Sequence, residues 1–218
     1  AGVETADILQ GGLTGALNLA AAGQLDVARA AEVGAVTMKQ FNLAGSQMNH
    51  VADLLAAGAG KATGSVDDMA NALKYAGVPA HSLGISIEET TGTLALFASK
   101  GIIGEQAGTS FRGMLLSLAA PTKAAQKTMD ELGISLYDGT GHFVGMQGAA
   151  EQLHAKLGPL SEATRNAALG QMFGNEQITA AIALYEAGGK GEDAHLMSPR
   201  IARTGAVTRR AGIGSRCG

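Results

Sequence analysis

Chemistry would need particular residues at particular spacings, and the nearest approach to a nucleotide site is Gly58-Ala59-Gly60-Lys61. A phosphate loop of that kind needs a glycine five positions before Gly60 and a serine or threonine after Lys61, and it must follow a strand so that its amides can cradle phosphate. Leu55 and Ala62 stand at those two positions, and the residues before Gly58 have helical spacing, so the stretch reads as a loop between helices. The five histidines, His50, His81, His142, His154 and His195, show no HExxH or other metal-ligand spacing. Cys217 is the single cysteine, so no thiolate zinc set can form. The histidines read as surface or helix-end residues. The paired carboxylates Asp67-Asp68 and Glu88-Glu89 follow Ser65 and Ser86, which places them in first helical turns facing the positive end of the helix dipole rather than in an acid–base pair. No serine or threonine sits in a Gly-x-Ser-x-Gly elbow. No residue is therefore assigned a catalytic, cofactor-binding or metal-binding role, no cofactor is expected, and the chain is not expected to be an enzyme.

Glycines recur four apart at Gly11 and Gly15, Gly60 and Gly64, Gly104 and Gly108, Gly141 and Gly145, and Gly170 and Gly174. In a membrane that spacing lets helices cross closely. Lys61, Glu105 and Gln171 interrupt these windows, which favours loops and close packing in a soluble protein. The glycine and alanine content still motivates an alternative reading, a membrane-perturbing module.

The elements that would carry these residues follow from composition. A chain of 218 residues with 46% apolar content can bury a core, yet aromatics make up 4% and tryptophan is absent. Alanine, leucine and methionine must do the packing. The 32 glycines favour many short helices, because each glycine inside a helix costs about 1 kcal/mol relative to alanine. A net charge of −3 gives no general attraction to nucleic acid or acidic lipid. No apolar run is long enough to span a bilayer, and one cysteine supports no secreted disulfide scaffold. A chain beginning with Ala1 is expected to be an excised or processed piece.

Apolar spacing and start signals predict helices over 5–22, 26–41 and 47–57, then 66–76 after a capping box of Ser65 and Asp68, with Gly77 and Pro79 ending it. Ser86 and Glu89 start the next, up to Gly101, and another spans 105–119. Pro121 suits the first turn of a helix ending at Leu132 and Gly133. Residues 134–144 set Ile134, Leu136, Phe143 and Val144 around Asp138-Gly139-Thr140-Gly141 and read as a small β-hairpin. Helices resume over 147–157, 161–173 and 176–187. Leu54-Leu55-Ala56 stands at the same offset from Leu73 as Leu96-Phe97-Ala98 does from Leu115, a faint internal echo. The expected fold is mainly α, with multiple short helices arranged as helical hairpins and one β-hairpin.

The order of several segments carries a family resemblance. These are Ala72-Leu-Lys-Tyr-Ala-Gly77, Leu83-Gly-Ile-Ser-Ile-Glu-Glu89, Leu94-Ala-Leu-Phe-Ala98, Gly101-Ile-Ile-Gly104 and Ala107-Gly-Thr-Ser-Phe-Arg-Gly-Met-Leu-Leu116. Leu118-Ala-Ala-Pro-Thr-Lys123, Glu131-Leu-Gly-Ile-Ser135 and Ala167-Ala-Leu-Gly-Gln-Met-Phe-Gly174 continue it, and Ala16-Leu-Asn-Leu-Ala20 and Val51-Ala-Asp-Leu-Leu55 precede it. Taken together, residues 1–188 resemble the core region of bacteriophage tail tape measure proteins. The resemblance implies a structural role in tail assembly and tail-length determination inside the tail tube, with a part in genome ejection. It implies, as partners, the tail tube protein, tail assembly chaperones, other copies of the same chain and, during ejection, the host membrane. The site of action would be the tail lumen, after assembly in the host cytoplasm, with no specific nucleic-acid binding.

Residues 189–218 depart from the family pattern. Arg200, Arg203, Arg209, Arg210 and Arg216 make them basic, apolar periodicity is lost, and a disordered tail is expected. Even a fully helical chain of this length would reach only about 330 Å. The bulk of any length measurement is thus expected to lie in sequence outside this chain.

Overall fold

The helix starts are written in side-chain caps. The computed structural model describes residues 11–60, 64–191, 193 and 197. Asp26 accepts the Arg29 amide at 2.9 Å and opens one helix, while Ser65 and Asp68 cap each other's backbone amides and open another. Ser86, Thr122 and Ser161 accept the amides of Glu89, Ala125 and Thr164 in the same way. Each cap satisfies an amide that would otherwise lack a partner. The resulting helices are α1 (Leu13–Gly23), α2 (Val27–Gln40), α3 (Met48–Gly60), α4 (Val66–Ser82), α5 (Ile87–Ser99), α6 (Gly104–Ala119), α7 (Lys123–Leu132), α8 (Gly145–Leu157), α9 (Glu162–Phe173) and α10 (Ile178–Gly188). The fold is mainly α, as expected.

What holds these helices together is close approach rather than bulk. The three most extensive pairings, α4 with α6, α8 with α10 and α1 with α3, each place a glycine against the partner's backbone. A Cβ on Gly108 would sit 2.8 Å from Ala72 Cα, one on Gly15 would sit 2.8 Å from the Met48 carbonyl carbon, and one on Gly188 would sit 2.5 Å from the Ala150 carbonyl carbon. Side chains then interlock around those crossings. Phe97 of α5 meets Phe111 of α6 edge to face at 5.8 Å, in a core with Leu73, Leu94, Met114 and Leu115. These pairings join next-but-one helices, and consecutive helices pack on one another as well. Chain order puts a third helix between the partners, and the glycines decide where two backbones can meet.

The β-hairpin at residues 134–144 is not formed. Tyr137 and Phe143 make one isolated antiparallel bridge, and no strand occurs among the described residues. Two competing interactions explain this. The Asp138 carboxylate takes the amides of Thr140 and His142 at 2.8 and 3.0 Å, so the turn closes on itself. The Ser135 amide and carbonyl, which would extend the ladder, are both taken by the Gln152 side chain of α8.

Three helix boundaries also move. α4 runs through Gly77 and Pro79 to Ser82 because its last two turns bury Ala76 and Ala80 completely. The Gln40 amide of α2 lies across Gly77 and donates to the carbonyls of Leu73 and Lys74 at 3.2 and 3.3 Å. α3 continues to Gly60, since Gly58 packs on Met69 and Thr91. Pro121 precedes the Thr122 cap of α7 rather than occupying its first turn. The first part of the expected 5–22 helix, residues 5–10, and the arginines of the basic tail lie outside the described residues, whereas Met197 is fully buried in the core.

Three substitutions test this packing by urea and thermal unfolding. Gly108→Val should lower stability by about 3 kcal/mol by forcing α6 away from α4, whereas Gly60→Ala, with open space around it, should raise it by about 0.5 kcal/mol. Pro79→Ala should restore a helical donor and raise stability by at least about 1 kcal/mol. A fall in melting temperature for Pro79→Ala would contradict the view that α4 forms in spite of that proline.

Candidate functional site

The groups singled out for chemistry are scattered. His81 meets the Phe41 ring edge to face at 5.9 Å, His142 bonds Thr140 in the exposed loop before α8, and His154 lies against Tyr185 at 5.1 Å. His195 lies outside the described residues. Among the described residues no group of three or more His, Cys, Asp and Glu side chains could hold a metal ion. Gly58 to Gly60 form the last turn of α3 rather than a loop, and Lys61 lies outside the described residues.

The carboxylate pairs fall where the sequence placed them, in first helical turns, but three of the four also reach other elements. Asp67 of α4 accepts from Arg29 of α2 at 2.9 Å, and Asn71 bridges the two side chains. The Arg29 guanidinium beside Asp67 is held above its ordinary pKa. Asp68 stays within its cap, and its bonds to Ser65 pull it below the usual carboxylate range. The densest grouping is the start of α5. Glu88 turns toward α3, where His50 Nε2 lies 2.7 Å from its carboxylate. That hydrogen bond raises the His50 imidazole above its ordinary value and lowers Glu88 below its own.

Glu89 turns the other way. The residue is 9% exposed, and its carboxylate accepts the amides of Met146 and Gln147 at the start of α8. α8 has no capping side chain of its own, so a carboxylate from another helix takes that place. Gly145 makes the approach possible, since its φ is +82° and a Cβ there would sit 2.8 Å from Glu89 Oε1. Burial pushes the Glu89 pKa up, and the two amide bonds act against it. Sequence reasoning placed Glu89 in a first turn but missed this second role. The available signal was Gly145 itself, a glycine beside the first turn of a helix that begins without Ser, Thr, Asp or Asn. The Gln40 clasp over Gly77 was missed in the same way.

The arrangement joins helices, with charge and hydrogen bonding used as clasps between elements, and the comparisons with known proteins agree with a structural part. The family described as phage-related minor tail protein matches residues 1–174. The tape measure protein of Pneumococcus phage Dp-1 is 38% identical over 188 residues, covering 86% of this chain and 16% of that protein. The probable tape measure protein of Escherichia phage P2 is 29% identical over 188 residues, covering 85% of this chain and 23% of that one. The chain thus spans less than a quarter of these relatives. No solved structure matches. With the family match running over most of the ordered helices and the resemblance read from residue order pointing the same way, the chain belongs to the phage-related minor tail protein family.

Proposed function

We propose that this chain is a compact assembly module of a tape measure protein, acting in tail assembly and tail-length determination from within the tail tube. The observation that carries the reading is the combination of 38% identity to the Dp-1 tape measure protein with a fold of short, crossed helices. The longest described helix, α4, has 17 residues and so spans only about 26 Å. A region folded this way adds little length per residue. In this reading it organises one part of a longer ruler, at the point where tube subunits, tail assembly chaperones and further copies of the protein come together. The parent protein is assembled in the host cytoplasm, resides in the tail lumen and leaves it during genome ejection. The role is structural rather than enzymatic. The membrane-perturbing alternative finds no support in the described residues, where no helix is long and apolar enough to cross a membrane.

An in-frame deletion of this region from an intact parent tape measure protein tests the proposal. The expected result is failed or sharply reduced tail assembly, seen by electron microscopy as few complete tails. Functional tails shortened in strict proportion to the deleted residues would show that the region is ordinary ruler and would overturn the proposal.

A further inference from the structure

The adjacent carboxylates at the start of α5 reach in opposite directions, and neither is matched in the usual way. Glu88 is half-buried and meets an imidazole, whose charge depends on pH near neutrality. Glu89 is buried and meets neutral backbone amides, with no cation paired to it among the described residues. We propose that this turn is a proton-coupled latch joining α3, α5 and α8, which holds tightest in mildly acidic solution and loosens toward neutral and alkaline pH.

The groups around the turn support this assignment. From α3, His50 faces Glu88, and Asp53 adds a weaker attraction to His50. From α8, the first turn of Gly145, Met146, Gln147 and Gly148 carries no titratable side chain, and Glu151 bonds Gln147 on the exposed side. On α4, Asp67 is engaged by Arg29 and Asp68 by Ser65, Lys74 lies by the Tyr75 ring, and His81 lies against Phe41. On α6, Glu105 accepts from Tyr75. On α10, Glu186 pairs with Lys100 at the opposite end of α5. The titration of this turn therefore belongs to His50, Glu88 and Glu89.

Their signs agree. His50 has a raised folded-state value, so its contribution is complete below its ordinary 6.5 and is lost as pH rises through the raised value. Glu88 has a lowered value, so its contribution is present above its ordinary 4.5 and is lost only as pH falls through the lowered value. Glu89 has a raised value, so the closed arrangement takes up a proton more readily than an opened one, and that advantage disappears as pH rises through the raised value. The His50 and Glu88 contributions are both present between the ordinary glutamate and histidine values, whereas that of Glu89 is complete below 4.5 and declines as pH rises through its raised value. Rising pH therefore weakens two of the three contributions, those of Glu89 and His50. The unprotonated oxygen of the Glu89 side-chain carboxyl can still accept the α8 amides when the other is protonated, so closure and protonation are compatible.

The test is amide hydrogen exchange of the 218-residue chain followed by NMR, with each rate corrected for the intrinsic effect of pH. Protection of the Met146, Gln147 and Gly148 amides should fall several-fold from pH 5.5 to 8, since each unit of pKa difference between closed and open forms is worth about tenfold. Glu89→Gln, which keeps the acceptor oxygen and removes the charge, should abolish that dependence in α8. His50→Gln should leave the α8 dependence in place and remove it only between α3 and α5. Equal protection at both pH values in the unsubstituted chain, or an unchanged dependence in Glu89→Gln, would overturn the proposal. Should the variant not fold, carbon-detected titration of the side-chain carboxyls in the unsubstituted chain decides the matter: Glu89 titrating above the ordinary range with Glu88 below it supports the latch, and Glu89 titrating at or below that range overturns it.

Discussion

The contact on which the rest of this structure depends is that of a glycine on one helix with the backbone of another. Gly108 on Ala72, Gly15 on Met48 and Gly188 on Ala150 mark the three most extensive pairings. A protein with so few aromatic side chains cannot fill wide gaps between helices, so the helices must approach until alanine, leucine and methionine suffice. Glycine permits that approach and weakens each helix that carries it. Short helices, firm side-chain caps and burial of alanines such as Ala76, Ala80 and Ala150 are the compensation. The many glycines that look like a liability in the sequence are in these positions the means of packing.

Polar clasps finish what close packing begins. Glu89 caps a helix to which it does not belong, Gln40 lies over Gly77 to reach two carbonyls, and Gln152 holds both backbone polar groups of Ser135. In the first two cases a glycine clears the space for the polar side chain. Such interactions are directional, so they fix which helix meets which and at what height, a specificity that small apolar side chains alone supply poorly.

Local information was legible and long-range information was not. The caps at Ser65 and Ser86, and the helix starts at Asp26 and Ser161, could be read from residue type and spacing because their partners lie three residues away, whereas the Thr122 cap was hidden by the start signal of Pro121 beside it. The Asp138 turn was legible for the same reason, but the hairpin was not, because Gln152 competes for Ser135 from 17 residues further on. The length of α4 was misjudged because Pro79 is a strong local stop signal, outweighed by burial of Ala80 and the chain turn that follows it. The second partner of Glu89 lies 57 residues away and leaves only Gly145 as a trace. Family membership, by contrast, was readable, because the order of many weak segments is itself specific.

In the function proposed above, a compact, glycine-crossed module separates two tasks, organising an assembly and spanning a length. The helices described here are suited to the first. Small-angle scattering of the 218-residue chain addresses that claim most directly. A packed chain of this length should give a radius of gyration of about 17 Å, whereas a value near or above about 50 Å, the scale of an unfolded or rod-like chain, would contradict it.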